Sequence, residues 1–470
     1  MSCRTGRKGA LVRMIIGIDV ACRAAHQASC ADAGGTLLFT GHRFLTEATE
    51  LERLWSKLPE GADEVVVVME PTRNAWVALA AWFRRKGARV VLVPPERSAD
   101  LRAYYSKHAK TDRLDSRVLA RLPLLHPEGL HAEEGLGPGD PLKRAVKLRC
   151  SLVTRRSANM RRIDSLLEIM GPAWTHALGS DLGVTALEFL TRYAEPAAVK
   201  RLGRARLTRF LHVCSHGRWG EAQAEALMDA ADATLLLWGD DEPDFAALSA
   251  DVALEARLAL DLTREIKVLS ARIAVMYEAA DPAGIVLSAP GVAITLAAQI
   301  LGRLGDVGRF DSLAGVRSFS GLVPHHKLSG TGGSTGGPTK AGDSCLRDAL
   351  YLAADHARRQ DPQLAARYWR LMVKEGKHHT SALCSVAAVL LTRIASCLRD
   401  GVPYVMRDAE GEVITPEEGP AICARHYTVP AKVRPARRTV SRNKIVKGRD
   451  EAATSGVAKR SKAAPVPVSA

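Results

Sequence analysis

Hydrophobic and polar positions follow three different rhythms along this chain. From Met14, Ile15-Ile16-Gly17-Ile18-Asp19-Val20 is a short apolar run interrupted by a carboxylate, which predicts a buried strand. Residues 26–31 and 36–40 predict two more strands around the turn Asp32-Ala33-Gly34-Gly35. Residues 47–58 carry Leu51, Leu54 and Leu58 at helical spacing, and Glu64 to Met69 is an almost unbroken valine run. Residues 74–86 place Trp76, Leu79, Ala80 and Phe83 on one side of a helix. Ala88 to Val93 predicts a further strand, stopped by Pro94-Pro95, and residues 112–122 predict a helix. Three antiparallel strands followed by alternating helix and strand predict a mixed α/β sheet over residues 14–130.

The second rhythm is a long helical one. Leu262, Ile266, Leu269, Ile273 and Met276 step by four and three, the spacing of a coiled-coil seam within residues 244–279. Residues 141–170 are also helical, with eight basic residues and no acid between 141 and 162. Two long helices separated by a helical insert at about 172–243 suggest an antiparallel pair. The seam suits packing within the chain or a dimer contact equally. A third unit spans residues 285–405. It contains Ser288-Ala289-Pro290-Gly291-Val292, a turn of helix-hairpin-helix or plain type, and then Phe319-Ser320-Gly321-Leu322-Val323-Pro324. A glycine-rich loop from Ser329 to Gly342 and helices at about 343–358 and 380–399 follow. The expected organisation is a basic extension at 1–13, an α/β domain at 14–135, a helical region at 136–284, a mainly α-helical domain at 285–405 and a basic tail at 406–470.

Composition narrows the class. At 470 residues, 47% apolar and 25% charged, the chain is an ordinary multidomain globular protein. No run of about 18 apolar residues occurs, so no membrane span is expected. No signal-peptide core follows the first basic residues. The nine cysteines include no CxxC pair, which argues against a disulfide framework or a zinc site and suits a reducing cytoplasm. The net charge of +15 is concentrated at the ends: residues 431–470 hold eleven Lys/Arg against two acids. Such tails suit polyanions, or merely solubilise.

Asp19 and Glu70 each stand at the end of a buried strand, while Asp112 and Asp115 share the first turn of a helix. A buried strand end is a costly place for an unpaired charge. One such residue reads as a turn or cap, and Asp112 follows the potential cap Thr111. The ordered set is more specific. Four carboxylates at one sheet edge suit hard cations, and two Mg²⁺ ions there could clamp a phosphodiester.

Ile16-Gly17-Ile18-Asp19, Met69-Glu70-Pro71-Thr72 and Lys110-Thr111-Asp112-Arg113-Leu114-Asp115-Ser116-Arg117 resemble the DEDD transposases of the bacterial insertion-sequence-110 family. The resemblance runs over nearly the whole chain. It implies a RuvC-like (ribonuclease-H-like) α/β N-terminal domain, a long helical coiled-coil middle and a mainly α-helical C-terminal transposase domain. It implies a transposase that cuts and rejoins DNA at element ends and target, with Asp19, Glu70, Asp112 and Asp115 as metal ligands for Mg²⁺. The family's nucleophilic serine follows a G-L-x-P segment, which here is Gly321-Leu322-Val323-Pro324 and assigns the role to Ser329; Ser334 competes. In this chain Gly330 to Pro338 carries no charge, so backbone amides would replace cationic phosphate contacts. Lys340, Arg347, Lys143, Arg144 and Lys147 are the expected nucleic-acid contacts. The resemblance also implies a structured guide RNA encoded by the element and a homodimer or homotetramer, in which one subunit's serine could serve another's carboxylates. No membrane is implied, and the expected location is the bacterial cytoplasm near the nucleoid. A junction resolvase using water and a non-catalytic nucleic-acid-binding protein are the rival readings.

Overall fold

The valine and isoleucine runs pair into one sheet. The computed structural model describes residues 12–95, 98, 100, 111–127, 130, 132–133, 139–179, 181–239, 243–329 and 332–433. They divide into two units, Met1–Gly137 and Pro138–Ala470.

In the first unit the strands are β1 (Arg13–Asp19), β2 (His26–Asp32), β3 (Leu37–Phe44), β4 (Glu64–Met69) and β5 (Arg89–Leu92). Their order across the sheet is β3-β2-β1-β4-β5. β1, β2 and β3 are antiparallel neighbours, whereas β4 and β5 run parallel to β1. Helices α1 (Ala48–Trp55) and α2 (Ala75–Arg85) contribute to the core that takes Ile16, Ile18, Val65, Val67 and Met69. The opposite face carries Ile15, Val66, Val68 and Val91, and packs on Val118, Leu119 and Leu122 of α3 (Asp112–Leu125). Strand alternation sorts each run between the two faces.

Gly17 sits where α3 crosses β1. A Cβ there would lie 2.2 Å from Ala120 N and Ser116 O. Both neighbours are backbone, so neither can rotate aside. Gly17→Ala is therefore expected to destabilise this unit by about 3 kcal/mol, the upper end for overpacking. A denaturant titration of the variant checks this, and an unchanged midpoint would contradict it.

The second unit is helical. Its elements are α4 (Asp140–Met170), α5 (Pro172–Leu178), α6 (Val184–Tyr193), α7 (Pro196–Leu202), α8 (Arg204–Cys214), α9 (Glu221–Trp238) and α10 (Phe245–Ala280), then α11 (Ile294–Leu304) and α12 (Leu313–Ser320). A hairpin of β6 (Pro324–Ser329) and β7 (Gly332–Pro338) follows, with α13 (Ser344–Ala357), α14 (Pro362–Trp369), α15 (His379–Asp400) and α16 (Glu418–His426) completing it. The long helices α4 and α10 are antiparallel: Arg149 Nε donates to Ser270 Oγ at 2.8 Å, and Arg162 pairs with Glu255 at 2.8 Å. Ile266, Leu269 and Ile273 of the expected seam are buried, with Leu262 and Met276 partly so. The inner part of the seam, with Leu269, Ile273 and Met276, joins Leu142, Val146 and the C-terminal helices in one core, so packing within the chain uses it. The insert α5–α9 forms a second core around Trp174, Phe189 and Leu227.

Four expectations need correction. Cys150 and Cys345 form a disulfide, with 6.4 Å between Cα atoms; the packing of α4 near the start of α13 joins positions 195 residues apart, which no local motif announces. The glycine-rich loop is largely a hairpin, because backbone pairing forms a ladder without side chains. Residues 406–433 are not all tail: Met406 and Cys423 are buried, and Gly419 packs against the Gln360 carbonyl. Residues 434–470 and 1–11 lie outside the described residues. Finally, α15 is long and apolar enough to cross a membrane by length and composition, with mean hydropathy 1.8. Polar interruptions hide this from a run count, and Leu383, Val386, Leu390, Leu391 and Ile394 of this helix lie in the protein core.

Candidate active site

Strand direction sets the first site. β1, β4 and β5 are parallel, so their C-terminal ends share one edge of the sheet. Ile18 is in register with Met69, which makes Asp19 and Glu70 the next residues on adjacent strands. Alternation from Ile15 and Gly17, and from Val66 and Val68, assigns both carboxylates to the face that α3 covers. The loops beyond them also meet, with Cys22 Sγ 3.9 Å from Thr72 O.

Helix α3 brings the other two acids to that edge. Arg113 donates to Thr40 Oγ1 at 2.7 Å, whereas Arg121 donates to Gly35 O at the far end of the sheet. Thus α3 runs against β1 and its first turn faces the end of β1 that carries Asp19. Ser116 anchors the crossing, its hydroxyl 2.8 Å from Ser29 Oγ in a buried pair. From that crossing, Asp112 lies one helical turn toward the edge, about 6 Å, and Asp19 two strand residues, about 6.6 Å. Thr111 caps the helix by accepting from Leu114 N at 3.2 Å, so the cap role considered for Asp112 falls to its neighbour.

Two positioning groups were not legible beforehand. Ser98 donates to Glu70 Oε2 at 2.5 Å from just beyond β5, the third strand end in the row. His26 is buried, accepting from Ala21 N at 3.1 Å and meeting Thr46 Oγ1 at 2.7 Å, which pins the loop after Asp19. Burial holds its imidazole below the usual range and hence neutral. Oxygen donors of this kind suit a hard divalent cation. Among the described residues, however, no three Asp, Glu, His or Cys side chains gather tightly enough to hold one ion.

The second site is the hairpin of the helical unit. Ser329 is the last residue of β6 and pairs with Gly332, while Ser334 pairs with Lys327. The hairpin base is fixed to the end of α12. Lys340 N donates to Gly321 O at 3.1 Å and Asp343 N to Phe319 O at 2.9 Å. A Cβ at Gly342 would lie 2.5 Å from Phe319 O, so only glycine allows this approach. Arg347 Nη1 donates to Ser320 O at 3.1 Å and Lys340 O at 3.3 Å, which makes it a clamp on the hairpin base. Lys340 is exposed with φ 56°. Arg303 pairs with Asp343, which caps α13 through Leu346 N. Lys143, Arg144 and Lys147 are exposed on α4, Arg144 pairing with Asp140 at 2.9 Å. Gly291 N donates to Gln360 Oε1 at 2.7 Å, and a Cβ there would strike α13. The Pro290-Gly291 turn is therefore a packing turn.

Two family profiles match this chain. One, described as a transposase, covers residues 16–172, and one described as the transposase IS116/IS110/IS902 family covers residues 283–369. The chain belongs to the IS110 family of transposases. This transposase is 27% identical over 406 residues to the insertion element IS110 uncharacterized 43.6 kDa protein of Streptomyces coelicolor, covering 85% of the chain and 97% of the relative. It is 27% identical over 388 residues to the IS116 44.8 kDa protein of Streptomyces clavuligerus, covering 83% and 95%. It is 28% identical over 354 residues to the IS900 42 kDa protein of Mycobacterium paratuberculosis, covering 73% and 84%. The first profile spans the strand-end acids and the whole of α4; the second spans the hairpin and α13.

Proposed function

We propose that this transposase cuts and rejoins DNA strands at the ends of its own element, using Asp19, Glu70, Asp112 and Asp115 to hold divalent cations and Ser329 as nucleophile. What supports this reading is that register and alternation make Asp19 and Glu70 neighbours at one strand-end edge, and that the first turn of α3, which carries Asp112 and Asp115, points toward that edge. Three antiparallel strands followed by two parallel ones support the RuvC-like reading. Like charges on one edge repel, and a shared cation would draw them together. Bound there, Mg²⁺ would polarise the scissile phosphate. The serine hydroxyl would lose its proton, and its Oγ would bond to phosphorus as a deoxyribose oxygen leaves and takes up a proton. The phosphoserine ester keeps the bond energy needed to rejoin the strand, so no nucleotide cofactor is required. We further propose a structured guide RNA, recognised by shape and backbone through the later basic turns of α4, with Arg155, Arg156 and Arg161, and through the terminal arms, and a dimer or tetramer.

The test is a supercoiled plasmid carrying the element ends, incubated with the full-length chain and any RNA transcribed from the flanking element. Strand cleavage with Mg²⁺, abolished by a chelator, is the expected result. Cleavage that persists without divalent cations would overturn the metal assignment.

A further inference from the structure

The junction between α4 and α11 gathers more cations than its fold needs. Gly302 lets the two helices meet: a Cβ there would lie 3.1 Å from Val146 Cγ2 and 3.2 Å from Leu142 Cγ. That contact sets Arg303 beside the first turns of α4, where Lys143 and Lys147 stand one turn apart. Arg309 follows after the bend. It donates to Leu304 O at 3.3 Å, and its guanidinium lies 4.2 Å from the Phe310 ring and 4.7 Å from the Phe319 ring. Such stacking fixes a cation in place, and the nearby Asp306 carboxylate offsets its charge in part.

The acids nearby offset only part of this charge. Asp140 pairs with Arg144, Asp343 pairs with Arg303 and caps α13, and Asp306 accepts from Gly308 N while its charge acts on Arg309. Neither Lys143 nor Lys147 forms an ion pair with a described residue. The Lys143 side chain is exposed as a whole, but partial desolvation of its ammonium against the neighbouring helix, then the charges of Arg309 and Arg303, hold it below its usual range, with Asp140 opposing and Lys147 adding to the effect. Cations held together in this way are stabilised by an incoming anion.

We infer that Lys143, Lys147 and Arg309 form a docking site for consecutive phosphates of a DNA strand, with the Arg303–Asp343 pair linking that site to the base of the Ser329 hairpin. The inference rests on the transposase reading and adds to it a place where the strand is held. Arg303 contacts the cap of α13, and the residue before that cap is Gly342, which packs on α12. Phosphates seated here would therefore lie on the rigid frame that carries the hairpin.

The experiment measures binding of the full-length chain to a random-sequence DNA duplex across a salt series. Each duplex phosphate contact contributes about 0.9 to the slope of log affinity against log salt. Lys143→Gln/Lys147→Gln is expected to lower the slope by roughly 2, whereas Lys143→Arg/Lys147→Arg retains it. Both pairs are exposed, and unchanged thermal melts would show that the fold is intact. A slope equal to that of the native chain overturns the site. A change confined to a hairpin RNA probe, with duplex DNA unaffected, also overturns it and favours an RNA site. A native chain without salt-dependent DNA binding overturns both this inference and the transposase reading, while normal binding without plasmid cleavage counts against the latter alone.

Discussion

Asp19→Asn is expected to lower strand cleavage by roughly a thousandfold while leaving DNA binding and the fold in place. That factor corresponds to roughly 4 kcal/mol, within the range of charge stabilisation a bound cation supplies to a transition state. The substitution keeps size and shape, removes the negative charge and turns one acceptor oxygen into an amide donor. Glu70→Gln should act in the same direction and retain an acceptor for the Ser98 hydroxyl, now at 2.5 Å. Asp112→Asn tests the contribution of α3, since Thr111 keeps the cap whatever residue follows it. Cleavage of the plasmid across a Mg²⁺ series is the measurement, with circular dichroism melts as the control for folding. Cleavage within about threefold of the native chain would show that the edge is structural, because even one ordinary hydrogen bond to a charge is worth more than that factor. The predicted pattern also separates two kinds of damage. Gly17→Ala should lose activity together with stability, whereas Asp19→Asn should lose activity alone.

The first unit was legible because its information is local. Runs such as Glu64–Met69 can be little other than buried strands, and the carboxylates that close two of them stand out against that background. The parallel direction of β1 and β4 then turns two distant residues into neighbours without any further signal. What stayed hidden depends on long-range approach. Gly17 reads as a spacer between isoleucines until α3 is seen to cross it. Ser98 has no motif of its own; it matters because β5 ends beside β4. Cys150 and Cys345 are joined by helix packing, and spacing arithmetic cannot reach a partner 195 residues away. The glycine-rich segment misled for a different reason. Glycine disfavours strands on average, yet a hairpin needs only backbone groups, and the anchored base at Gly321 and Lys340 supplies its register. Arg347 has a structural role that its sequence position does not announce: its Nη1 serves the carbonyls of Ser320 and Lys340 at the hairpin base.

Ser329→Ala is expected to abolish the covalent protein–DNA adduct altogether, the largest effect of any single change in the helical unit. The serine closes β6 opposite Gly332, at the tip of a hairpin whose base is held by three backbone contacts and the Arg347 clamp. In sequence the serine is followed by Gly330, Gly332 and Gly333, residues without side chains, which suits the approach of a phosphate. Removing the hydroxyl removes the atom that bonds to phosphorus, and no rearrangement of the remaining residues restores it. Cleavage by water could continue at a low rate, but it would leave free ends and no linkage. The measurement is denaturing electrophoresis of end-labelled DNA after incubation with Mg²⁺, with protease digestion to reveal labelled peptide. Ser334→Ala, which pairs with Lys327 farther from the tip, is expected to retain the adduct. An adduct that persists in Ser329→Ala and vanishes in Ser334→Ala would transfer the role to the second serine. Cleavage without any adduct in the native chain would instead favour direct hydrolysis. A Ser329→Cys chain sharpens the choice. Its thiol can replace the hydroxyl as a nucleophile, and a labelled adduct through sulfur, cleaved by conditions that spare a phosphoserine ester, would locate the reacting atom at residue 329.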